Sequence, residues 1–404
     1  MKEQLQAVMQ KVKNNMAEIG TDLREFPAAH DGRYFANREH CIGIEHIFNW
    51  TQSFFTGMAY WSYVYDKDSR TIDWMKQFLD GYEAKVLETP LETMHDTGFL
   101  YSLYAVALYQ LTGEERVKQV GLLAADALAH RFVPNGGYIR AWGRMDDTVP
   151  PYVSGELAKD HFFTESRGLA IVDCMMNLPL LFWAAEAGGN ARYAEIAKAH
   201  ADMTLQYFVR EDDSVCHAYR FAEDGTPLGV ENYCGFSKES RWARGAAWAI
   251  YGYAICYSYT KDKRYLDVSE RLAAFFCKHL RGDGAVVWDF SLPPETPAIP
   301  CGKPQVWTTW DFADKENESH VVDTSASAVA LCGIQEILRH RENAFLQKCA
   351  KQMLDGLTEN YLCLDETVNG ILKCQNGNET MASYGDYFMI EAMMNASGDY
   401  GRIW

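Results

Sequence analysis

Hydrophobic and polar positions along this chain fall into two alternating kinds of segment. The first kind is apolar almost all round and rich in aromatic and small residues: "GMAYWSYVY" (57–65), "TGFLYSLYAVALYQLTG" (97–113), "LPLLFWAAEAGG" (178–189), "ARGAAWAIYGYAICYSYT" (243–260), "TSASAVALCGIQEIL" (324–338) and "DYFMIEAMMNA" (386–396). The second kind is amphipathic, with charges on one face: the N-terminal twenty residues, "IDWMKQFLDGYEAKVLE" (72–88), "EERVKQVGLLAADALAHRF" (114–132), "ARYAEIAKAHADMTLQYFV" (191–209), "KRYLDVSERLAAFFCKHL" (263–280) and "ENAFLQKCAKQMLDGLTENYL" (342–362). A helix that is apolar all round must be buried, whereas an amphipathic one can keep one face in water.

Six segments of each kind predict an all-α fold, an (α/α)6 barrel of six inner and six outer helices, with residues 1–404 as a single domain. The turns "TGEER", "GGNAR", "TKDKR" and "HRENA" recur at about 70 to 80 residues, which is the spacing of a repeat. Between the pairs, segments 133–165, 209–240 and 281–322 carry Pro, Gly, Trp and short β-like runs such as "GAVVWDF". They predict long loops at one end of the barrel, where function collects.

One stretch breaks the pattern. "LAIVDCMMNLPLLFWAA" (169–185) holds Asp173 and Asn177 among apolar residues, with Pro179 between them and the helical run. Proline is accommodated in a first helical turn, so this helix starts near Asn177 and Asp173 stands just before it. Asn177, Asp323 and Asp386, each at an inner-helix start, read as N-caps. Asp173 lies too far ahead of the start to cap it, and a carboxylate flanked by "LAIV" and "CMM" is either paired or used. Other polar groups stand at inner-helix starts: His95 and Asp96 in "ETMHDTGFLY", and Arg241, Trp242, Arg244 and Trp248 in "ESRWARGAAW". Trp50 and Trp142 stand beside polar clusters. Aromatic faces with carboxylates and an arginine suit a sugar acid, which stacks through its ring carbons and offers a carboxylate to a bidentate clamp.

Composition narrows the classes. The chain has 48% hydrophobic and 23% charged residues and a formal net charge of −17. That charge argues against nucleic acid and against an anionic membrane surface. No apolar run approaches the roughly 20 residues that span a bilayer, and the N-terminus lacks the pattern of a signal peptide. A cytoplasmic protein is expected. The 11 cysteines form no CxxC pairs and sit largely in apolar helical stretches, which fits reduced thiols. Histidines are scattered singly, so no metal and no cofactor are expected.

The motifs "HDTGFLY", "IVDCMMNLPLLFWA", "SRWARGAAWAIYGYA", "VDTSASAVALCG" and "SYGDYF" resemble, in order, those of the unsaturated glucuronyl hydrolases, glycoside hydrolase family 88. The resemblance runs from about Trp50 to about Glu391. It implies release of a 4-deoxy-4,5-unsaturated glucuronic acid from the non-reducing end of lyase-generated oligosaccharides, by hydration of the C4=C5 vinyl ether. It further implies Asp173 as general acid and base, Asp96 as its essential partner, and Trp50, His95, Trp142, His217, Arg244, Trp248 and Tyr384 as substrate-binding residues. The partner is then a small anionic oligosaccharide with an unsaturated uronic acid, and the protein a monomer or homodimer. An apolar setting with a second carboxylate nearby would raise the proton affinity of Asp173, as an acid working near neutral pH requires.

The chain departs from that pattern at Cys234 in "NYCGFSKES", where a glutamine is frequent, in a longer 143–165 segment, and in a shorter "LKCQNGNETMAS" before Tyr384. These departures bear on which partner sugar is read. Other readings stay open. One is hydrolysis of unsaturated galacturonyl-rhamnose from pectin. Another is a sugar 2-epimerase, using two of His95, His217 and His320. A third is a non-catalytic sugar-binding barrel. Lys238 and Arg241 are candidates to meet a sulfate.

Overall fold

The computed structural model describes residues 1–20, 29–30, 32–34, 50–88, 90, 94–149, 155, 166–292, 322–375, 381–399, 401 and 403–404. It is mostly helical. In chain order the helices are α1 (Lys2–Ile19), α2 (Gln52–Asp66), α3 (Ser69–Lys76), α4 (Leu79–Glu88), α5 (Thr97–Tyr101), α6 (Ala107–Thr112), α7 (Glu115–Ala129), α8 (Leu178–Glu186), α9 (Arg192–Tyr207), α10 (Ala243–Thr260), α11 (Lys263–Lys278), α12 (Thr324–His340), α13 (Ala344–Asn360) and α14 (Ser383–Ser397). A π-helical turn, Ser102–Val106, joins α5 to α6 into one continuous rod.

The apolar segments are the buried helices, as the pattern predicts. Within α10 every residue from Ala243 to Cys256 is buried, whereas α11 buries one face through Tyr265, Leu266, Val268, Leu272 and Phe276. Helix α2 packs on the α5–α6 rod, α5 on α8, α8 on α10, α10 on α12, α12 on α14, and α14 returns to α2. The amphipathic helices lie against this circuit: α1 on α2 and α14, α7 on α5 and α8, α9 on α8, α11 on α10 and α12, and α13 on α12.

The recurring turns do local work. Asp262 of "TKDKR" and Asn343 of "HRENA" accept from the backbone N–H groups of Arg264 and Leu346 at 3.0 Å each, capping α11 and α13. Lys261 and Gly113 take left-handed conformations that end α10 and α6.

Two features differ from the pattern reading. The stretch 72–88, expected as one helix, is broken after Lys76. The Met75 carbonyl accepts from Phe78 N–H, three residues on, and from the Tyr104 hydroxyl at 3.0 Å. Phe78 then turns its ring edge onto Trp74, at 4.7 Å. The π-helical turn carrying Tyr104 was likewise not expected.

The strands are short: β1 (Ala29–His30) with β2 (Arg33–Tyr34), β3 (Phe132–Val133) with β4 (Tyr138–Ile139), and a three-stranded antiparallel sheet. In that sheet β6 (Ala218–Phe221) lies between β5 (Leu169–Ile171) and β7 (Pro227–Glu231), with Ile171 paired to Ala218 and Ala218 to Glu231. This pairing sets His217, one residue before β6, beside the chain that leads out of β5 to Asp173.

Candidate active site

Trp50, Asp96, Arg244, Asp323 and Tyr384 each stand at or within one turn of an inner-helix start, and Asp173 stands five residues before that of α8. Their contacts bring the six starts together at one end. Trp50 stacks on Tyr384 (4.9 Å between ring centroids, 25° between planes) and meets Phe99 at 5.8 Å and Trp248 at 6.5 Å. Arg244 lies over the rings of Trp242 and Tyr384 at 4.8 and 5.3 Å. Helix N-termini converging in this way favour an anion.

Asp173 sits in a 3-10 turn, Val172–Met176, between β5 and α8. The turn is pressed against α10. A Cβ on Gly252 would come within 2.5 Å of the Met175 Cβ, so glycine is what allows this approach. Asp96 precedes α5. Gly98 brings the two acids' segments together in the same way, since a Cβ there would lie 2.3 Å from the Asn177 Cα.

Asn177 was expected to cap α8. The helix does start there, but its side chain makes no cap bond to α8. Its Oδ1 accepts from Phe99 N–H at 2.7 Å, capping the first turn of α5, and its Nδ2 donates to the Asp173 carbonyl at 3.3 Å. With Gly98 allowing backbone contact, the nearest orphan N–H belongs to the neighbouring helix. Asn177 thus joins the Asp96 helix to the Asp173 turn.

Both carboxyl groups are raised. Burial pushes Asp173 up to about 7 against the pull of the Arg244 charge. Burial and the Asp173 charge push Asp96 up to about 8, against Arg131 and the Asn177 amide. Two interacting carboxyls titrate as a pair, which retains a proton near neutral pH. The side chains keep 14% and 21% exposure, so solvent and ligand reach them in a site where His95 and His217 are at 2%.

Each acid faces a histidine Nε2: His95 to Asp96 at 3.5 Å, and His217 to Asp173 at 3.9 Å. Tyr233 N–H donates to His217 Nδ1 at 3.0 Å, so in the neutral ring the proton is on Nε2, toward Asp173. His95 is held neutral: burial leads, and the nearby Arg131 charge adds to it.

The remaining expected residues differ in access. Trp142 and Tyr233 form a tilted pair at 5.0 Å, and Arg220 donates to the Tyr233 hydroxyl at 3.0 Å. Trp248 is wholly buried beneath Trp50 and Phe99. Tyr384 and Arg244 are nearly so. Cys234 is half-buried, and its thiol acts electrostatically on Arg244 and Tyr384, so the substituted position does belong to this end.

Asp323 caps α12 as expected, accepting from Ala326 N–H at 3.0 Å, and it also forms a buried ion pair with Arg244. Asp386 corrects the cap reading. It lies inside the first turn of α14, and its carboxylate instead accepts from Leu372 N–H (2.7 Å), Gln375 Nε2 (2.9 Å) and the Tyr34 hydroxyl (2.7 Å). A fully buried carboxylate takes donors wherever the fold supplies them, here from distant loops.

Arg241 is paired with Asp212 at 2.8 Å, and Lys238 is exposed. His320 and most of the 143–165 segment lie outside the described residues. Among the described residues no group of three or more His, Cys, Asp or Glu is placed to hold a metal ion, and the nine described cysteines are free thiols. No helix among them is long and apolar enough to cross a membrane.

Sequence reading missed Tyr233, Arg131 and the bridging role of Asn177. Arg131 offers only the ordinary signal of a basic residue past a helix end. For Asn177 the one hint was Gly98 directly after the polar cluster at 95–97.

The model of Glycosyl Hydrolase Family 88 matches residues 31–259. The unsaturated glucuronyl hydrolase of Bacillus sp. (strain GL1) is 29% identical over 377 residues, 88% of each chain. The unsaturated chondroitin disaccharide hydrolase of Streptococcus pneumoniae is 27% identical over 369 residues, covering 88% of this chain and 83% of that one. Among solved structures, the Bacillus sp. GL1 unsaturated glucuronyl hydrolase, responsible for the degradation of glycosaminoglycan, superposes with a TM-score of 0.79 at 27% identity. That likeness covers 98% of this chain and 97% of the other. With more than half of the chain matched by the family model, and its raised carboxyl pair set among aromatic rings, the chain belongs to glycosyl hydrolase family 88 and is a glycosidase.

Proposed function

We propose that this glycosidase releases a 4-deoxy-4,5-unsaturated glucuronic acid from the non-reducing end of small glycosaminoglycan-derived oligosaccharides, working as a single-domain (α/α)6 barrel in the cytoplasm. The closed circuit α2, α5–α6, α8, α10, α12, α14 with its outer helices supports the barrel reading. The observation that carries the function is the carboxyl pair, Asp96 and Asp173, retaining a proton near neutral pH at an aromatic-walled opening.

The substrate is a vinyl ether. Asp173 protonates C4, leaving a cation at C5 that the ring oxygen stabilises. Water then adds at C5 and gives its proton to the Asp173 carboxylate. The resulting hemiketal opens and expels the partner sugar. Burial holds the proton affinity of Asp173 up, and the Asp173 charge does the same for Asp96. His217 presents Nε2–H to Asp173. Trp50 and Trp142 offer faces to the sugar, Tyr384 and Trp248 support Trp50, and Arg244 supplies positive charge for the uronate carboxylate. No bond at C1 is attacked directly, so the carboxyl spacing rule for displacing glycosidases does not apply. An epimerase with His95 as its acid is disfavoured, because buried His95 stays neutral near pH 7.

The test is the ultraviolet absorbance of the conjugated C4=C5 bond in unsaturated disaccharides from chondroitin, hyaluronan, heparin and pectin lyases. Loss with the wild type and a rate lower by about 10²-fold or more in Asp173→Asn are expected. Preference for the pectin product would transfer the assignment to the galacturonyl substrate, and no loss on any of them would refute it.

A further inference from the structure

Arg131 is a buried cation beside the carboxyl pair that the mechanism above leaves without a task. It follows α7 and is 1% exposed. Its Nε donates to the Arg140 carbonyl at 2.8 Å, and Nη2 donates to those of Ala141, Trp142 and Gly143 at 3.3, 3.0 and 2.9 Å. Four successive carbonyls of one turn therefore converge on a single guanidinium. The Ala141 carbonyl also accepts from His95 N–H at 3.1 Å. One cluster thus fixes both the backbone of Trp142, a wall of the site, and the residue directly before Asp96.

Burying a guanidinium is expensive, and loop fixation alone could be done by neutral donors. What a neutral donor lacks is the charge. Asp96 is faced by Arg131 from behind α7, by Asp173 from the 172–176 turn, by the Asn177 amide at the start of α8, and by His95 Nε2 on its own segment. Cys174 feels Asp96, Arg131 and Asp173, Arg140 lies behind Arg131, and His200 and His217 are the further neighbours of His95. Among these groups Arg131 is the cation acting on Asp96, as Arg244 is the cation acting on Asp173. Burial and the neighbouring Arg140 charge lower the proton affinity of Arg131 to about 9, so it still carries its charge through the neutral range in which the carboxyl pair titrates.

We infer that Arg131 is a positioning residue for the reaction: its fork holds the Trp142 wall and the His95–Asp96 step as one body, with a buried positive charge beside Asp96. Removing the charge must raise the proton affinity of Asp96, and with it that of the pair. The alkaline limb of the rate profile, where the acid is lost, then moves to higher pH. Lysine keeps the charge but loses the fork.

The inference rests on the reaction proposed above. Profiles of kcat and KM against pH for wild type, Arg131→Gln and Arg131→Lys test it. The expected result is an alkaline limb moved up by about one pH unit in Arg131→Gln. In Arg131→Lys the limb should stay in place with KM raised several-fold. A limb in Arg131→Gln that coincides with the wild type, or one in Arg131→Lys that moves as far as in Arg131→Gln, overturns it. If Arg131→Gln does not fold, Arg131→Lys decides alone: a fixed limb supports the inference and a moved limb overturns it. If the wild type consumes no unsaturated disaccharide, the proposed reaction fails on its own. The ¹³C titration of the Asp96 carboxyl then decides for Arg131, an upward move in Arg131→Gln supporting it and an unchanged value overturning it.

Discussion

Gly98→Ala tests whether backbone contact between the α5 and α8 starts is what assembles the site. The added Cβ would lie 2.3 Å from the Asn177 Cα and 2.5 Å from its Cβ and carbonyl oxygen. Carbon atoms rest at about 3.5–4.0 Å, so the two starts must part by about 1 Å or more. These neighbours are largely backbone and cannot swing away as the end of a flexible side chain would. Parting them stretches the 2.7 Å bond from Phe99 N–H to Asn177 Oδ1 beyond hydrogen-bond range. Overpacking costs about 1–3 kcal/mol and the orphaned buried N–H about 1–3 kcal/mol, so a loss of roughly 2–6 kcal/mol is expected. The carboxyl pair separates with its helices, and a misplacement of about 1 Å lowers kcat by about 10²-fold. Urea unfolding and the absorbance assay measure the two effects. Gly81→Ala, in an exposed turn of α4 with open space around it, is the control and should be neutral or stabilising by about 0.5–1 kcal/mol. A Gly98→Ala protein that unfolds and turns over like the wild type, or a control equally damaged, refutes the reasoning.

Two further outcomes rest on the buried charges. Asp96, Asp173 and Asp386 are raised in the fold to about 8, 7 and 6 from an ordinary 3.8. Between about pH 4 and 8 the unfolded chain has released protons that the folded chain keeps, so stability falls as pH rises through that window. In the double variant Asp96→Asn with Asp173→Asn, the decline of the unfolding midpoint between pH 5 and 8 should become shallower, and an unchanged slope would contradict the raised values. Asp323→Ala removes the partner of buried Arg244 together with the cap of α12. A loss of about 3–5 kcal/mol with a raised KM is expected, and a loss under about 1 kcal/mol would mean that Arg244 does not depend on Asp323.

Much of the architecture was legible from periodicity alone, because burial on all sides leaves a helix no polar positions. "ARGAAWAIYGYAICYSYT" coincides with α10 from end to end. Pro179 located the start of α8, since its ring fits only a first turn. Asp173 stood out because its neighbours in sequence are apolar, and burial is local enough to be read from them. What tertiary structure decided is who partners whom. Asn177 and Asp386 were chemically suited to cap their own helices, yet each spends its hydrogen bonds elsewhere: Asn177 on Phe99, 78 residues away, and Asp386 on Tyr34, Leu372 and Gln375. At the break after Lys76, the Met75 carbonyl takes a bond from Tyr104, 29 residues further along the chain. Arg131 carries no local mark beyond that of a basic residue past a helix end, because its four carbonyl partners become neighbours only when residues 140–143 fold back over it. Sequence determines which groups must be buried, since that depends on side-chain polarity and helical period. The fold determines which buried polar groups meet, since each takes the nearest available partner in space.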